Sequence, residues 1–289
     1  MAETEERPLG GRVAVVTGAS RGIGCAVAQR LASAGATVVV SARSFDKTAD
    51  GLAGTLQETV SLIESAGGKA VPVACDITDP KSRAALIDNI IRQAGRLDIL
   101  VNNAGRAVHE KLTAFTPDNA LSQAQQYLLG PFDLARLAVP HMKAQGGGWI
   151  VNIGSSTAEF PEEGPPWNDY VTHGGAALYS SLKASIHRLS VNLAAELYGD
   201  NISVNVVAPV GAILTPGVEA LGVITEESKA YLEPVEHIAE ATLAMIASNP
   251  KDVTGRIAYS YQYLDKIGRP TRSLDGKNMI QDRKAAASR

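Results

Sequence analysis

The sequence predicts an α/β protein, with one domain built on a doubly wound, mostly parallel sheet of about seven strands flanked by helices. Short β-branched runs alternate along the chain with longer segments rich in Ala and Leu. The β-branched runs are apolar throughout, which is typical of strands covered on both faces. No low-complexity linker and no repeat of fixed period divides the chain, so we expect a single domain.

The element boundaries follow from this alternation. The predicted strands are residues 12–17, 37–42, 70–74, 97–102, 149–153, 202–208 and 256–260. The predicted helices are residues 22–34, 52–66, 80–94, about 117–145, 178–198 and 235–248. We divide the chain into a flexible N-terminus at 1–10, a domain at 11–260 and a C-terminal extension at 261–289. Tyr259, Tyr261 and Tyr263 alternate, which indicates that the last strand continues into the extension.

Composition and charge exclude several classes of partner. The chain has 289 residues and a net charge of −3, which gives no reason to expect nucleic acid or an anionic membrane as a partner. Its two cysteines, Cys25 and Cys75, stand at no metal-ligand spacing, so we expect no metal site. Residues 1–10 lack the pattern of a secretory signal, and no apolar run approaches the roughly 20 residues of a membrane span. The expected location is the cytoplasm.

A glycine-rich segment follows the first predicted strand directly and contains Gly18, Gly22 and Gly24. Glycines at this place allow a tight turn and a close approach of the backbone to a pyrophosphate at the N-terminus of the next helix. The segment therefore indicates a dinucleotide site, although a glycine trio alone also occurs in ordinary turns. Ligands of doubly wound sheets bind beyond the carboxyl ends of the strands, so the other functional residues are expected just after strands.

The spacing of this segment, T-G-x-x-x-G-x-G, resembles the short-chain dehydrogenase/reductase family in its compact single-domain branch. Later features agree with that family in order: Asp76 after the third strand, the run N-N-A-G at 102–105, Ser155 after the fifth strand, and Tyr179 with Lys183. The resemblance covers about 11–260 and implies a Rossmann fold with a nicotinamide cofactor. The cofactor-binding residues that it implies are Gly18, Ser20, Arg21, Gly22, Ile23, Gly24, Arg43, Asp76, Ile77, Asn103, Ala104, Gly105, Tyr179, Lys183, Pro209 and Thr215.

The choice between NADP(H) and NAD(H) depends on the end of the second strand. An acidic residue there would bond the ribose 2′-OH and repel a 2′-phosphate, but this chain has Ala42 followed by Arg43. Arg21 in the glycine segment is a second cation, and a guanidinium can grip a phosphate through two hydrogen bonds. We therefore predict NADP(H), with NAD(H) as the alternative if both arginines are merely solvated. By resemblance Asp76 holds the adenine edge; its alternative role is in a turn or helix cap.

Tyr179 and Lys183 are the predicted acid/base pair, because they are four residues apart on a predicted helix and share a face. A free tyrosine titrates at about pH 10, and a neighbouring ammonium and an oxidised nicotinamide ring would favour its phenolate. The resemblance also implies that Lys183 holds the nicotinamide ribose. Ser155 is expected to orient the substrate oxygen. Ser156 is its rival, and the role of a strand-end serine that caps the turn suits Ser156 better.

Two positions depart from the family's pattern. Tyr127 stands where the family usually has an asparagine that supports a water-linked proton path to the lysine. Tyr127 therefore replaces that asparagine, points at substrate, or simply packs. The family's Pro-Gly after the sixth strand reads Pro209-Val210-Gly211 here. That segment should still run under the nicotinamide.

The segment between Ser155 and Tyr179 is longer than is usual in the family, and long loops inside compact domains are often functional. We expect it to lie over the mouth of the active site. Trp167, Tyr170 and His173 are candidates for substrate contact. The alternatives are a rigid surface loop or a subunit contact.

The predicted function is that of an NADP(H)-dependent oxidoreductase that transfers hydride between nicotinamide and a ketone or secondary alcohol. The acidic residues of the long loop disfavour a strongly anionic substrate, so we expect a neutral, hydrophobic one. Residues 52–79 resemble hydroxysteroid-dehydrogenase-like members of the family. The alternative is a catalytically silent NADP-binding regulator or scaffold, which the intact Ser155, Tyr179 and Lys183 disfavour. Relatives pair through two long helices, which implies a homodimer or homotetramer.

Overall fold

The structure is a computed structural model, and it describes residues 7–46, 51–159, 164–167, 172–222 and 232–280. Seven strands form one sheet in the order β3-β2-β1-β4-β5-β6-β7, and every neighbouring pair is parallel. The strands are β1 Val13–Thr17, β2 Thr37–Ala42, β3 Lys69–Ala74, β4 Ile99–Asn102, β5 Gly148–Ile153, β6 Ile202–Ala208 and β7 Ile257–Tyr259. The predicted fold class is confirmed.

At least one helix follows each strand along the chain. The helices are α1 Gly22–Ser33, α2 Leu56–Ser65, α3 Pro80–Ala94, α4 Pro117–Ala124, α5 Gly130–Ala144, α6 Ala177–Leu197, α7 Pro216–Leu221, α8 Val235–Ile246 and α9 Ser260–Lys266. The strand order reverses between β1 and β4, because β1 pairs with β2 on one side and with β4 on the other. The carboxyl ends of β1 and β4 therefore flank the crevice in which doubly wound sheets bind their ligands.

The core consists of two hydrophobic clusters, to which alternate residues of the strands contribute. Val13 and Val15 of β1 belong to one cluster, and Ala14 and Val16 belong to the other. Each cluster also includes apolar side chains of the helices. Burying a valine side chain contributes at least about 1.5 kcal/mol, so both positions of the strand repeat favour apolar residues. This explains why the strands are apolar throughout in the sequence.

Two predicted helices begin or continue differently in the structure. The helix after β2, α2, begins at Leu56 rather than at residue 52, because Thr55 and Glu58 form a capping box. Thr55 Oγ1 accepts from the Glu58 amide at 3.1 Å, and the Glu58 carboxylate accepts from the Thr55 amide at 2.8 Å. The single helix predicted at about 117–145 is interrupted by a π-turn at Gln125–Leu129, which separates α4 from α5.

The predicted continuation of the last strand is wrong. The chain turns into α9 directly after Tyr259, and Leu264 of α9 packs into the core. At the other end Leu9 is fully buried, and its amide donates to the Ala34 carbonyl oxygen at 3.0 Å. Packed structure therefore extends beyond both boundaries that the sequence suggested, at 10 and at 260.

Candidate active site

The turn after β1 brings α1 close to the strand ends. Gly18 has a φ of 66° and Gly22 a φ of 55°, a left-handed conformation that side chains with a Cβ rarely tolerate. A Cβ on Gly24 would lie 2.4 Å from the Gly18 carbonyl oxygen and 2.4 Å from Asn103 Nδ2. Only glycine allows the helix to start here, and the turn is left open toward the crevice.

The ends of β1 and β4 are tied together by Thr17 and Asn103. Thr17 Oγ1 accepts from the amides of Asn103 and Ala104 at 3.0 and 3.1 Å, and Asn103 Nδ2 donates to the Thr17 carbonyl oxygen at 2.8 Å. These bonds fix the backbone of the N-N-A-G segment beside the glycine turn. Ala104 and Gly105 consequently line the same cleft as Gly18.

The two arginines predicted to select the cofactor both line the cleft. Arg43 is exposed directly after β2, and Arg21 is half-buried in the glycine turn, where its Nη2 donates to the Gly54 carbonyl oxygen at 3.2 Å. Arg43 thus stands where an acidic residue would select NAD(H), and Arg21 shares the cleft with it.

Asp76 also lines the cleft, but its carboxylate has a role within its own turn. Asp76 Oδ1 accepts from the Thr78 amide at 2.9 Å and from the Thr78 hydroxyl at 2.7 Å. The N-cap of α3 is Asp79, which accepts from two amides of the first helical turn. Asp76 therefore has the turn role, and its contact with an adenine stays a prediction.

Lys183 lies at the floor of the opposite end of the cleft. It is buried on α6, and its Nζ donates to the Ile153 carbonyl oxygen at 2.7 Å. The same Nζ lies 4.7 Å from the ring centroid of Tyr127 and 5.8 Å from that of Tyr179. Burial lowers the pKa of Lys183 from 10.5 to about 7. The carbonyl and the ring faces favour the ammonium, but they do not outweigh its complete removal from water.

Tyr127 is the central residue of the π-turn, and it reaches into the predicted catalytic group. Its ring meets the ring of Tyr179 edge to face, with centroids 5.3 Å apart. A Cβ on Gly105 would lie 2.4 Å from Tyr127 Cε1, so Gly105 is the residue that makes room for the ring. Burial raises the pKa of Tyr127 well above its usual value, so this phenol stays neutral.

Ser155 leaves β5 and, contrary to expectation, is itself the serine that caps a turn. Ser155 Oγ accepts from the Thr157 amide at 3.2 Å and lies 2.9 Å from Thr157 Oγ1. Capping therefore belongs to Ser155 rather than to Ser156, the reverse of the sequence prediction. Both serines line the cleft, and Ser155 is the more buried.

Two histidines near this group were missed from the sequence. His187, one turn after Lys183 on the same face of α6, accepts weakly from the Ser155 amide at 3.4 Å. Burial and then the charge of Lys183 lower the pKa of His187 to about 4. The four-residue spacing of Tyr179 and Lys183, extended by one more step, predicts His187 on the same face of the helix. His109, whose ring lies 5.5 Å from that of Tyr179, stands in an irregular loop that carries no such signal.

The long segment between Ser155 and Tyr179 is described only in part. Among the residues that the structure describes, neither Trp167 nor His173 lines the cleft. Trp167 is 51% exposed, and the exposed His173 has its Nδ1 2.8 Å from Thr172 Oγ1. Tyr170 lies outside the described residues. Substrate contact by these three side chains therefore stays a prediction.

The predicted catalytic residues and nearly all of the predicted cofactor-binding residues converge on one cleft of about 1120 Å³ at the carboxyl ends of the strands. Apart from Gly24, which packs behind the turn, every cofactor-binding residue named from the sequence lines it. The lining includes Gly18, Ser20, Arg21, Gly22, Ile23, Arg43, Asp76, Ile77, Asn103, Ala104, Gly105, Tyr127, Ser155, Tyr179, Lys183, Pro209 and Thr215. The glycine turn that no Cβ can occupy and the paired arginines suit a bound dinucleotide phosphate.

Comparison with known proteins supports the same assignment. Residues 12–222 match the family model described as short chain dehydrogenase. The chain belongs to the short-chain dehydrogenase/reductase family. The 7alpha-hydroxysteroid dehydrogenase of Escherichia coli K12 is 34% identical, over 89% of this chain and 95% of that protein.

Solved structures of short-chain dehydrogenases/reductases show the same fold. A metagenomic short-chain oxidoreductase in complex with NADP has a TM-score of 0.69 and 30% identity, covering 86% of this chain and 97% of that one. A 7 alpha-hydroxysteroid dehydrogenase with NADH and 7-oxo glycochenodeoxycholic acid has a TM-score of 0.74 and 34% identity, covering 90% and 96%. This short-chain dehydrogenase/reductase is accordingly an NAD(P)-dependent oxidoreductase that acts on CH–OH and C=O groups.

Two features are absent from the part of this short-chain dehydrogenase/reductase that the structure describes. No helix there is both long and apolar enough to cross a membrane. No group of three or more His, Cys, Asp or Glu side chains in those residues is arranged to hold a metal ion.

Proposed function

We propose that this enzyme uses NADP(H) to interconvert a neutral, hydrophobic ketone and its secondary alcohol, with Tyr179 as the acid/base. The observation that carries the proposal is the grouping of Ser155, Tyr179 and Lys183 in the cleft that also holds the glycine turn. A polar triad at one end and a phosphate-binding turn at the other suit a dinucleotide that lies along the cleft.

The bound nicotinamide would donate hydride to the substrate carbon in reduction or accept it in oxidation. Tyr179 gives a proton to the substrate oxygen in reduction and takes it back in oxidation. Lys183 lies one helical turn away, where its ammonium favours the phenolate. Because its pKa is lowered to about 7, the protonation state of Lys183 changes near neutral pH in the free enzyme.

Ser155 is prepared for a hydrogen bond with the substrate oxygen. The Thr157 amide already donates to Ser155 Oγ, and the Thr157 hydroxyl at 2.9 Å can donate as well. The Ser155 hydrogen then remains to donate to the substrate oxygen. Ser155 and Tyr179 would hold that oxygen from two sides, which positions the carbon for hydride transfer.

The preference for NADP(H) is argued from Arg21 and Arg43. A titration that follows cofactor fluorescence with NADPH and with NADH tests it directly. We expect tighter binding of NADPH, and we expect Arg43→Asp to weaken NADPH binding more than NADH binding, since an acid would repel the 2′-phosphate. Tighter binding of NADH by the wild-type enzyme would contradict the assignment.

The neutral, hydrophobic class of substrate is tested by turnover. A panel of aliphatic, aromatic and steroid ketones with NADPH measures it, since each ketone that is a substrate consumes the cofactor. The resemblance to 7alpha-hydroxysteroid dehydrogenase is the reason to include steroid ketones. Binding of NADPH without turnover of any ketone in the panel would contradict the proposed substrate class. Cytoplasmic location, a homodimer or homotetramer, and substrate contacts by Trp167, Tyr170 and His173 stay predictions.

A further inference from the structure

The loop that follows β6 is hydrogen-bonded to one buried carboxylate, that of Glu233. A Glu233 oxygen accepts from the amide of Val210 at 2.6 Å and from that of Gly211 at 3.4 Å. The Glu233 amide donates in turn to the Ala212 carbonyl oxygen at 2.9 Å. The other carboxylate oxygen accepts from the Ser260 hydroxyl. Three successive loop residues are thus tied to a single side chain and its own backbone.

This loop forms a wall of the cleft. Pro209, Gly211, Ala212 and Ile213 all line it. Just beyond, the Thr215 side chain lies against the glycine turn, where a Cβ on Gly22 would be 3.1 Å from it. The loop therefore runs from the end of β6, which pairs with β5, the strand that Ser155 follows, back to the phosphate-binding turn. The half of a dinucleotide that reaches Tyr179 would pass along it.

The loop also contains the extra residue noted in the sequence, Val210 between Pro209 and Gly211. An added residue brings an additional backbone amide, and a buried amide without a partner is costly. The Val210 amide makes the shorter of the two bonds to the carboxylate. Glu233 therefore compensates for the longer connection, because its carboxylate is a charged acceptor for the Val210 amide.

The surroundings of Glu233 are closed to water. Its side chain is 2% exposed, and His237 Nδ1 lies 3.7 Å from its Oε1. Burial raises the pKa of Glu233, while the bonds from Ser260, Val210 and Gly211 and the charge of His237 oppose the increase. Neither Glu233 nor its neighbours Ser260 and His237 line the cleft. Glu233 therefore acts on the cleft only through the 209–213 loop.

We propose that Glu233 is a positioning residue that holds the 209–213 loop in the shape that receives the nicotinamide half of the cofactor. This inference rests on the proposed nicotinamide chemistry of the cleft. Loss of the carboxylate should loosen the loop and weaken binding of NADPH without unfolding the protein.

Glu240 offers a matched control. It is equally buried on α8, and it accepts from Arg30 Nε and Arg269 Nε at 2.6 Å each, but it makes no bond to the loop. Two measurements on the cofactor-free protein and its NADPH complex compare Glu233→Ala with Glu240→Ala. They are the dissociation constant from NADPH fluorescence and the hydrogen exchange of the Val210 and Gly211 amides.

We expect Glu233→Ala to raise the dissociation constant for NADPH about tenfold or more, as loss of bonds to a charged group does, and to speed exchange of both amides. Glu240→Ala should lower the melting temperature but change neither quantity. Glu233→Gln should keep much of the NADPH affinity and of the amide protection. The glutamine side-chain oxygen can still accept from the Val210 and Gly211 amides, and its side-chain nitrogen can donate to Ser260 Oγ. Glu233→Asp, too short to reach Val210, serves if the alanine variant does not fold, and it should also loosen the loop.

Equal effects of Glu233→Ala and Glu240→Ala on NADPH binding would overturn the inference, and so would an aspartate variant that matches wild type in both measurements. Wild-type protein that binds NADPH but reduces no ketone contradicts the proposed function instead. In that case the binding constants and the amide exchange still decide the role of Glu233.

Discussion

Lys183 gives the cofactor-free protein a distinctive dependence of stability on pH. Its pKa is about 7 in the folded chain, and an exposed lysine in the unfolded chain keeps its usual value near 10.5. The folded-state pKa is therefore depressed, and between the two values the unfolded chain binds more protons than the folded one. The free energy of unfolding must then rise as the pH rises through this window.

The size of the effect follows from the two pKa values. Between about pH 6.5 and about pH 8.5 the folded lysine loses its proton while the unfolded one keeps it, which adds about 2 kcal/mol to the free energy of unfolding. Other groups also titrate in this range, so the informative quantity is the difference between wild type and Lys183→Met, in which this titration is absent.

The assay is urea unfolding of both proteins without cofactor at the two pH values. The wild-type stability minus that of Lys183→Met should become more favourable by about 2 kcal/mol on going to the higher pH. A difference that stays constant would refute the reasoning. It would mean that the Ile153 carbonyl and the ring of Tyr127 keep the ammonium charged despite its burial.

Two further experiments test the packing around the site and the fold. Gly105→Ala places a methyl group 2.4 Å from the Tyr127 ring, so it should destabilise the protein by about 1–3 kcal/mol. Adding Tyr127→Ala should make the double variant less unstable than the sum of the two single ones; strict additivity in urea unfolding would argue against the contact. Thr55→Ala removes the capping box of α2 and should cost about 1 kcal/mol, with no change in NADPH affinity; a lower affinity would show that the cap supports the site.

Much of the fold was readable because its determinants are local. Strands buried on both faces leave unbroken apolar runs, and parallel sheets require the intervening helices. The sites just after strands, such as Gly18 and Asn103, follow from the same rule. The capping box at Thr55 and Glu58 was also present in the sequence, and reading it would have corrected the start of α2.

The features that were not predicted depend on contacts between distant residues. The π-turn at Tyr127 is a change of helical register, and its ring packs against Gly105 and Tyr179 from other segments. The bond from Val210 to Glu233 joins residues 23 positions apart, and no local pattern announces it. Likewise, the alternation of Tyr259, Tyr261 and Tyr263 is typical of a strand, but the chain forms α9 there and Leu264 packs into the core.

The central claim, that Tyr179 is the acid/base, is tested most directly by comparing wild type with Tyr179→Phe. Ketone reduction is measured at saturating NADPH, together with NADPH affinity and melting temperature for both proteins. The account predicts a variant that folds and binds NADPH as wild type does but turns over at least about a hundredfold more slowly. A phenylalanine variant that reduces the ketone at the wild-type rate would contradict it.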